Sequence, residues 1–116
     1  MSDFLLIFRN TPPAASDAAP SPEQLQARMK LWQDWIGSIA AQNKLVSAGN
    51  RLNGGGKVVK TDTLVTDGPY VELKEVVGGY SIVKAASLEE AAEISKGCPI
   101  FKFGGTVEVR EIIPMD

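Results

Sequence analysis

The stretch Thr66-Asp67-Gly68-Pro69-Tyr70-Val71-Glu72-Leu73-Lys74-Glu75-Val76-Val77-Gly78-Gly79-Tyr80 organises the chain. Asp-Gly-Pro spells a turn three times over: a side chain that bonds nearby backbone, a residue free to take positive φ, and one whose φ is fixed. Acidic and basic residues then alternate on an apolar stagger, and Gly78-Gly79 opens the run Tyr80-Ser81-Ile82-Val83-Lys84. The pattern predicts a polar loop from Asp67 to Val77 and a strand from Gly79 to Ala85. Asp67, Tyr70, Glu72, Lys74 and Glu75 crowd into that loop, which is unusual polarity for a plain connection.

Upstream, Lys57-Val58-Val59-Lys60 and Thr63-Leu64-Val65-Thr66, joined through Thr61-Asp62, read as a β-hairpin. Arg51-Leu52-Asn53-Gly54-Gly55-Gly56 breaks regular structure. Its glycines invite a phosphate-binding reading, but no Lys-Ser/Thr follows and no helix opens behind it, so a flexible turn is the better account. Before it, Ser21-Pro22-Glu23-Gln24 supplies a cap, a proline suited to the first helical position and the far half of a capping box. Leu25, Met29, Trp32, Ile36, Ile39 and Ala40 then recur at helical spacing, Leu31 and Trp35 widen the stripe, and Gly49 serves as the helix stop. Thr11 to Pro20 has no period and reads as a loop longer than most, suited to a mobile connection or a lid. Phe4 to Phe8, apolar on both faces, predicts a central strand.

Downstream, Ser87-Leu88-Glu89-Glu90 is a second capping box, opening a short helix with Leu88, Ala91 and Ala92 inward and Gly97 as its stop. Cys98 to Gly105 is a connector with apolar anchors. Thr106 to Ile113 closes as a strand on which period two separates Thr106, Glu108, Arg110 and Ile112 from Val107, Val109, Glu111 and Ile113. Val107, Val109 and Ile113 are expected to face the helices.

The chain's 116 residues fit one domain, with 44% hydrophobic and 22% charged residues as in an ordinary globular protein. A net charge of −2 gives no footprint for nucleic acid. The longest apolar run is far too short to span a bilayer, and no secretory pattern opens the chain. The lone cysteine, Cys98, forbids an internal disulfide and suits a reducing cytoplasm. It has no histidine to pair with and sits just past a helix end, the wrong pole for a thiolate. Histidine is absent altogether, which excludes His-ligated metals and His-based triads, so no metal or other cofactor is expected.

Val65 to Tyr70 with Glu72, Lys74, Glu75 and Gly78-Gly79-Tyr80 resembles the YCII-related domain family, also called the DGPF-domain family. Tyr70 stands where the eponymous Phe usually sits. Ser87 to Ala91, Gly97-Cys98-Pro99 and Gly105 to Arg110 also look like that family, so the resemblance covers nearly the whole chain. It implies an α+β, ferredoxin-like βαββαβ protomer with an extra hairpin strand, two protomers pairing into a dimeric α/β barrel. Some members of the wider family use a His–Asp pair, which this chain lacks. Members often lie beside sigma factors, which fits a regulatory role.

With two helices on one sheet face, the other face is left bare and calls for a partner, so a homodimer is expected. Glu108 and Arg110 would point toward that partner, either as an ion pair fixing the dimer or as part of a site for an anionic ligand. Asp67 is the other candidate acid–base group, its alternative being to cap its own turn; Tyr70 is a donor or stacking surface, and Lys74 a cation for an anionic substrate. Two functions follow: a cytoplasmic homodimer holding a small metabolite, and a cofactor-independent enzyme using Asp67 or Glu108 as acid or base. Neither nucleic acid nor membrane is an expected partner.

Overall fold

The computed structural model describes residues 1–10, 20–68 and 76–115. In chain order the elements are β1 (Ser2–Asn10), α1 (Pro22–Ala41), β2 (Leu45–Arg51), β3 (Gly56–Thr61), β4 (Leu64–Gly68), β5 (Val76–Ala85), α2 (Leu88–Ser95), a 3-10 turn (Pro99–Phe103) and β6 (Thr106–Glu111). The loop expected from Thr11 lies outside the described residues up to 19, as does the polar loop from 69 to 75.

β1 takes the centre, as its two-sided apolarity predicts. It pairs antiparallel with β5 on one side and β6 on the other, and β2 flanks β5, giving the order β2-β5-β1-β6. With α1 and α2 on one face this is a ferredoxin-like α+β protomer, and β3–β4 forms a separate two-stranded sheet inserted between β2 and β5. The expected assignment of the sheet therefore needs one correction. The second strand of the main sheet is Leu45–Arg51, which the sequence pattern places in the helix and the turn after it.

The helix ends earlier than Gly49. α1 opens with the full capping box at Ser21 and Gln24, but Gln42 is its C-cap and Asn43, at φ 60°, turns the chain out. Asn is the alternative to Gly at this left-handed position because its short polar side chain bonds locally. Gly49 lies instead inside β2 at φ 72°, where a Cβ would sit 1.7 Å from the Tyr80 carbonyl oxygen.

The core lies between the sheet and the helices: Phe4, Leu6 and Phe8 from β1, Val83 and Ala85 from β5, Trp35 and Ile39 from α1, Ala91 from α2, with Cys98 and Ile100. The buried stripe of α1 is narrower than its spacing suggests. Trp35, expected beside the stripe, is at its centre, whereas Leu25 and Met29 in the first turns are exposed. Phe8, Trp32 and Trp35 meet edge to face, with ring centroids 4.9–6.0 Å apart. In α2 the Ser87 Oγ accepts from the Glu90 amide, while the Glu90 carboxylate turns to the Lys44 ammonium at 3.2 Å, tying α2 to the start of β2. Val107 and Val109 pack on the core as expected, but Ile113 does not: it lies beyond the end of β6 and is 82% exposed.

Candidate functional site

Phe4, Leu6 and Phe8 point to the helices, so Asp3, Leu5, Ile7 and Arg9 are on the opposite face of β1. The register carries this face across the sheet in rows. Tyr80, Ile7 and Glu108 stand abreast on β5, β1 and β6, and Ile82, Leu5 and Arg110 form the next row. The helix-free face thus has an apolar centre of Leu5, Ile7 and Ile82, with Tyr80 on one flank and charge on the other.

The charged flank is a three-membered cluster. Arg9 Nε donates to Glu108 Oε1 at 3.1 Å, and its Nη2 lies 3.0 Å from the same oxygen. Arg110 Nη1 reaches Glu108 Oε2 at 3.2 Å. Two guanidiniums converge on one carboxylate, which leaves one positive charge in excess. Hydrogen bonds from Arg110, then from Arg9, hold the Glu108 carboxyl below its usual range. Glu108 is therefore a fixed anion at neutral pH. The Arg110 side chain is 70% exposed, so its guanidinium is open to a further anion. On the other flank, Asn50 Nδ2 donates to the Tyr80 hydroxyl at 3.3 Å.

Glu108 and Arg110 thus stand where strand periodicity puts them, on the helix-free face. Arg9 was missed, although the alternation of β1 places it beside them. Asp67 is elsewhere: it lies in β4, paired across the hairpin with Lys57 at 2.5 Å, with its side chain 88% exposed. Asp67 and Gly68 are the end of a strand rather than the expected turn, and their partners Lys57 and Gly56 set that register. Tyr70 and Lys74 lie outside the described residues, as do Glu72 and Glu75.

A groove of about 330 Å³ opens on the other side of the molecule, between α1 and α2, lined by Trp35, Gln42, Lys44, Glu90 and Gly97 among others. None of the candidate site residues expected from the sequence lines it. It is shallow and open, and its lysine is already engaged by Glu90. The rows on the helix-free face are the better candidate on chemistry. Among the described residues no group of three or more His, Cys, Asp or Glu gathers to hold a metal ion, and no helix is long and apolar enough to cross a membrane.

Cys98 is buried at the start of the 3-10 turn, and burial pushes its thiol from 9.0 up to about 11, against a weaker opposite pull from the Ile100 backbone. Two outcomes are expected. Alkylation of Cys98 at pH 8 should be slow in the folded chain and fast in denaturant. Below pH 9 the thiol is protonated in both states; between 9 and 11 the unfolded chain releases its proton first, so stability falls as pH rises. Cys98→Ala should flatten that part of the denaturation profile, and an identical slope in both chains would contradict it.

The order β2-β5-β1-β6, the helices on one face and the inserted hairpin define the class: a ferredoxin-like α+β domain with a charged, partly apolar open sheet face. The model of the YCII-related domain family matches residues 4–116, and the chain belongs to that family. A search of curated proteins finds nothing that matches it.

Proposed function

We propose that this protein is a homodimer that binds a small anionic metabolite on the helix-free sheet face, with Arg9 and Arg110 as the anion's partners and Glu108 as the group that positions them. The carrying observation is the convergence of two guanidiniums on one carboxylate beside an apolar strip, with one guanidinium mostly free. A carboxylate or phosphate of modest size suits this arrangement, because arginine presents a planar fork to such groups. Pairing of two protomers across a two-fold axis, as in a dimeric α/β barrel, covers Leu5, Ile7 and Ile82 and leaves the charged cluster at the margin, open to the ligand. Binding is favoured over turnover, since a general acid needs a pKa near the working pH and Glu108 is held in its charged form. A regulatory role and a cytoplasmic setting accord with such a binding protein.

Light scattering should give twice the 12.4 kDa of one chain. Thermal melts with a panel of small carboxylates and phosphates should find a ligand that raises the midpoint, the stabilisation being about 2.7 kcal/mol at a hundredfold excess over Kd. In Arg110→Met that shift should disappear while the unliganded midpoint barely moves, because exposed pairs contribute only about 0–1 kcal/mol. A large loss in the unliganded variant would instead make Arg110 a structural tie. No shift with any member of the panel would remove the anion site.

A further inference from the structure

Among the described residues, little within one chain packs on the β3–β4 hairpin. An isolated two-stranded hairpin is at best marginally stable in water and needs a further surface to pack on. Yet β3 and β4 are a sheet of their own, and among the described residues they make no substantial packing with any other element. One face carries the directly opposed pair Val59 and Val65, 68% and 54% exposed, and Leu64 near the tip is 47% exposed.

The molecule's dimensions say where the hairpin goes. Its extents are 44 × 40 × 19 Å, and the shortest is that of one helix layer on one sheet. The hairpin therefore does not fold back over the open face of its own sheet. The radius of gyration of 15.9 Å exceeds the roughly 13 Å expected of a compact chain this long, in keeping with an extended shape.

We infer that the hairpin is an arm that reaches onto a second copy of this chain, seating Val59 and Val65 on the apolar centre of that copy's open sheet face. This rests on the homodimer reading above. Size favours a second copy. Four strands about 4.8 Å apart and six residues of about 3.3 Å each give an open face of roughly 400 Å² in projection. A standard interface buries about 800 Å² per partner, so the open face of one copy falls short by itself, and the arm that each copy contributes adds to the area it buries. The arm, about 20 Å long on the same spacing, matches the width of the sheet it has to cross. Symmetry favours it too: arm and receiving face lie on one chain, so a two-fold axis satisfies both at once and closes the assembly. Asp67, exposed in its own chain, is thereby brought to the margin of the second copy's site.

The test mixes isotope-labelled and unlabelled full-length chains and records methyl contacts between copies, beside sedimentation of Val59→Lys/Val65→Lys. Expected are contacts from Val59 and Val65 to Leu5, Ile7 or Ile82 of the other copy, and a dimer Kd at least tenfold weaker in the double variant with unchanged circular dichroism. A dimer in which Val59 and Val65 show no contact between copies, or whose Kd the double variant leaves unchanged, overturns the arm and leaves the homodimer standing. A chain that sediments as a monomer throughout overturns both.

Discussion

Gly49→Ala should lower the urea midpoint by an amount equivalent to more than about 2 kcal/mol without changing the slope. A left-handed backbone costs a residue with a Cβ about 1–2 kcal/mol. Here the added methyl also meets the Tyr80 carbonyl oxygen at 1.7 Å, so β2 must move away from β5. The damage should spread to the open face, because Asn50, the next residue, holds the Tyr80 hydroxyl. A midpoint within about 0.5 kcal/mol of the parent would show that β2 leaves the sheet at little cost.

The second large effect is at Trp35. Its indole packs edge to face on Phe8 and Trp32, and its Nε1 donates to the Ile94 carbonyl at 3.2 Å, so it joins α1, β1 and α2. Trp35→Ala should cost about 3–5 kcal/mol, the range for deleting a large buried aromatic. That is roughly a fifth or more of the stability of a typical small domain. Trp35→Phe should cost nearer 1–2 kcal/mol, since most of the packing survives and the Ile94 carbonyl still accepts from Gly97 at 3.4 Å. Equal losses in the two variants would assign the effect to the indole hydrogen bond rather than to packing. Chemical denaturation followed by circular dichroism separates the cases.

Both residues also show how far the sequence could be read. The elements with local signals were legible: the Ser21 and Ser87 caps, the β3–β4 hairpin, the central strand and the parity of Glu108 and Arg110. Each depends on spacing within a few residues. The end of α1 was not, because Leu45, Val46 and Ala48 prolong an apolar run toward a glycine that resembles a helix stop. The competing signal, Asn43, is the less common choice for the same left-handed geometry. Trp35 was displaced from the centre of its stripe because periodicity does not say which turns of a helix the core covers; Leu25 and Met29 fit the period and are exposed. At the site, Glu108 and Arg110 were legible by alternation. Arg9 was hidden because its strand reads as apolar on both faces and its partner is ninety-nine residues away. Asp67 was drawn to a turn by Gly68 and Pro69, whereas pairing with Lys57 keeps it in a strand.

The central position of β1 has a consequence for how the chain is made. Residues 2–10 leave the ribosome well before both of their neighbours in the sheet, at 76–85 and 106–111. Until then an apolar strand with two bare edges waits beside a helix that can cover only one of its faces. Pairings so distant along the chain close slowly, because the entropy of the intervening loop is lost before any contact compensates for it. Nascent chains stalled before β6 should therefore be the species that chaperones hold, and release of the last strand the step that commits the domain to fold.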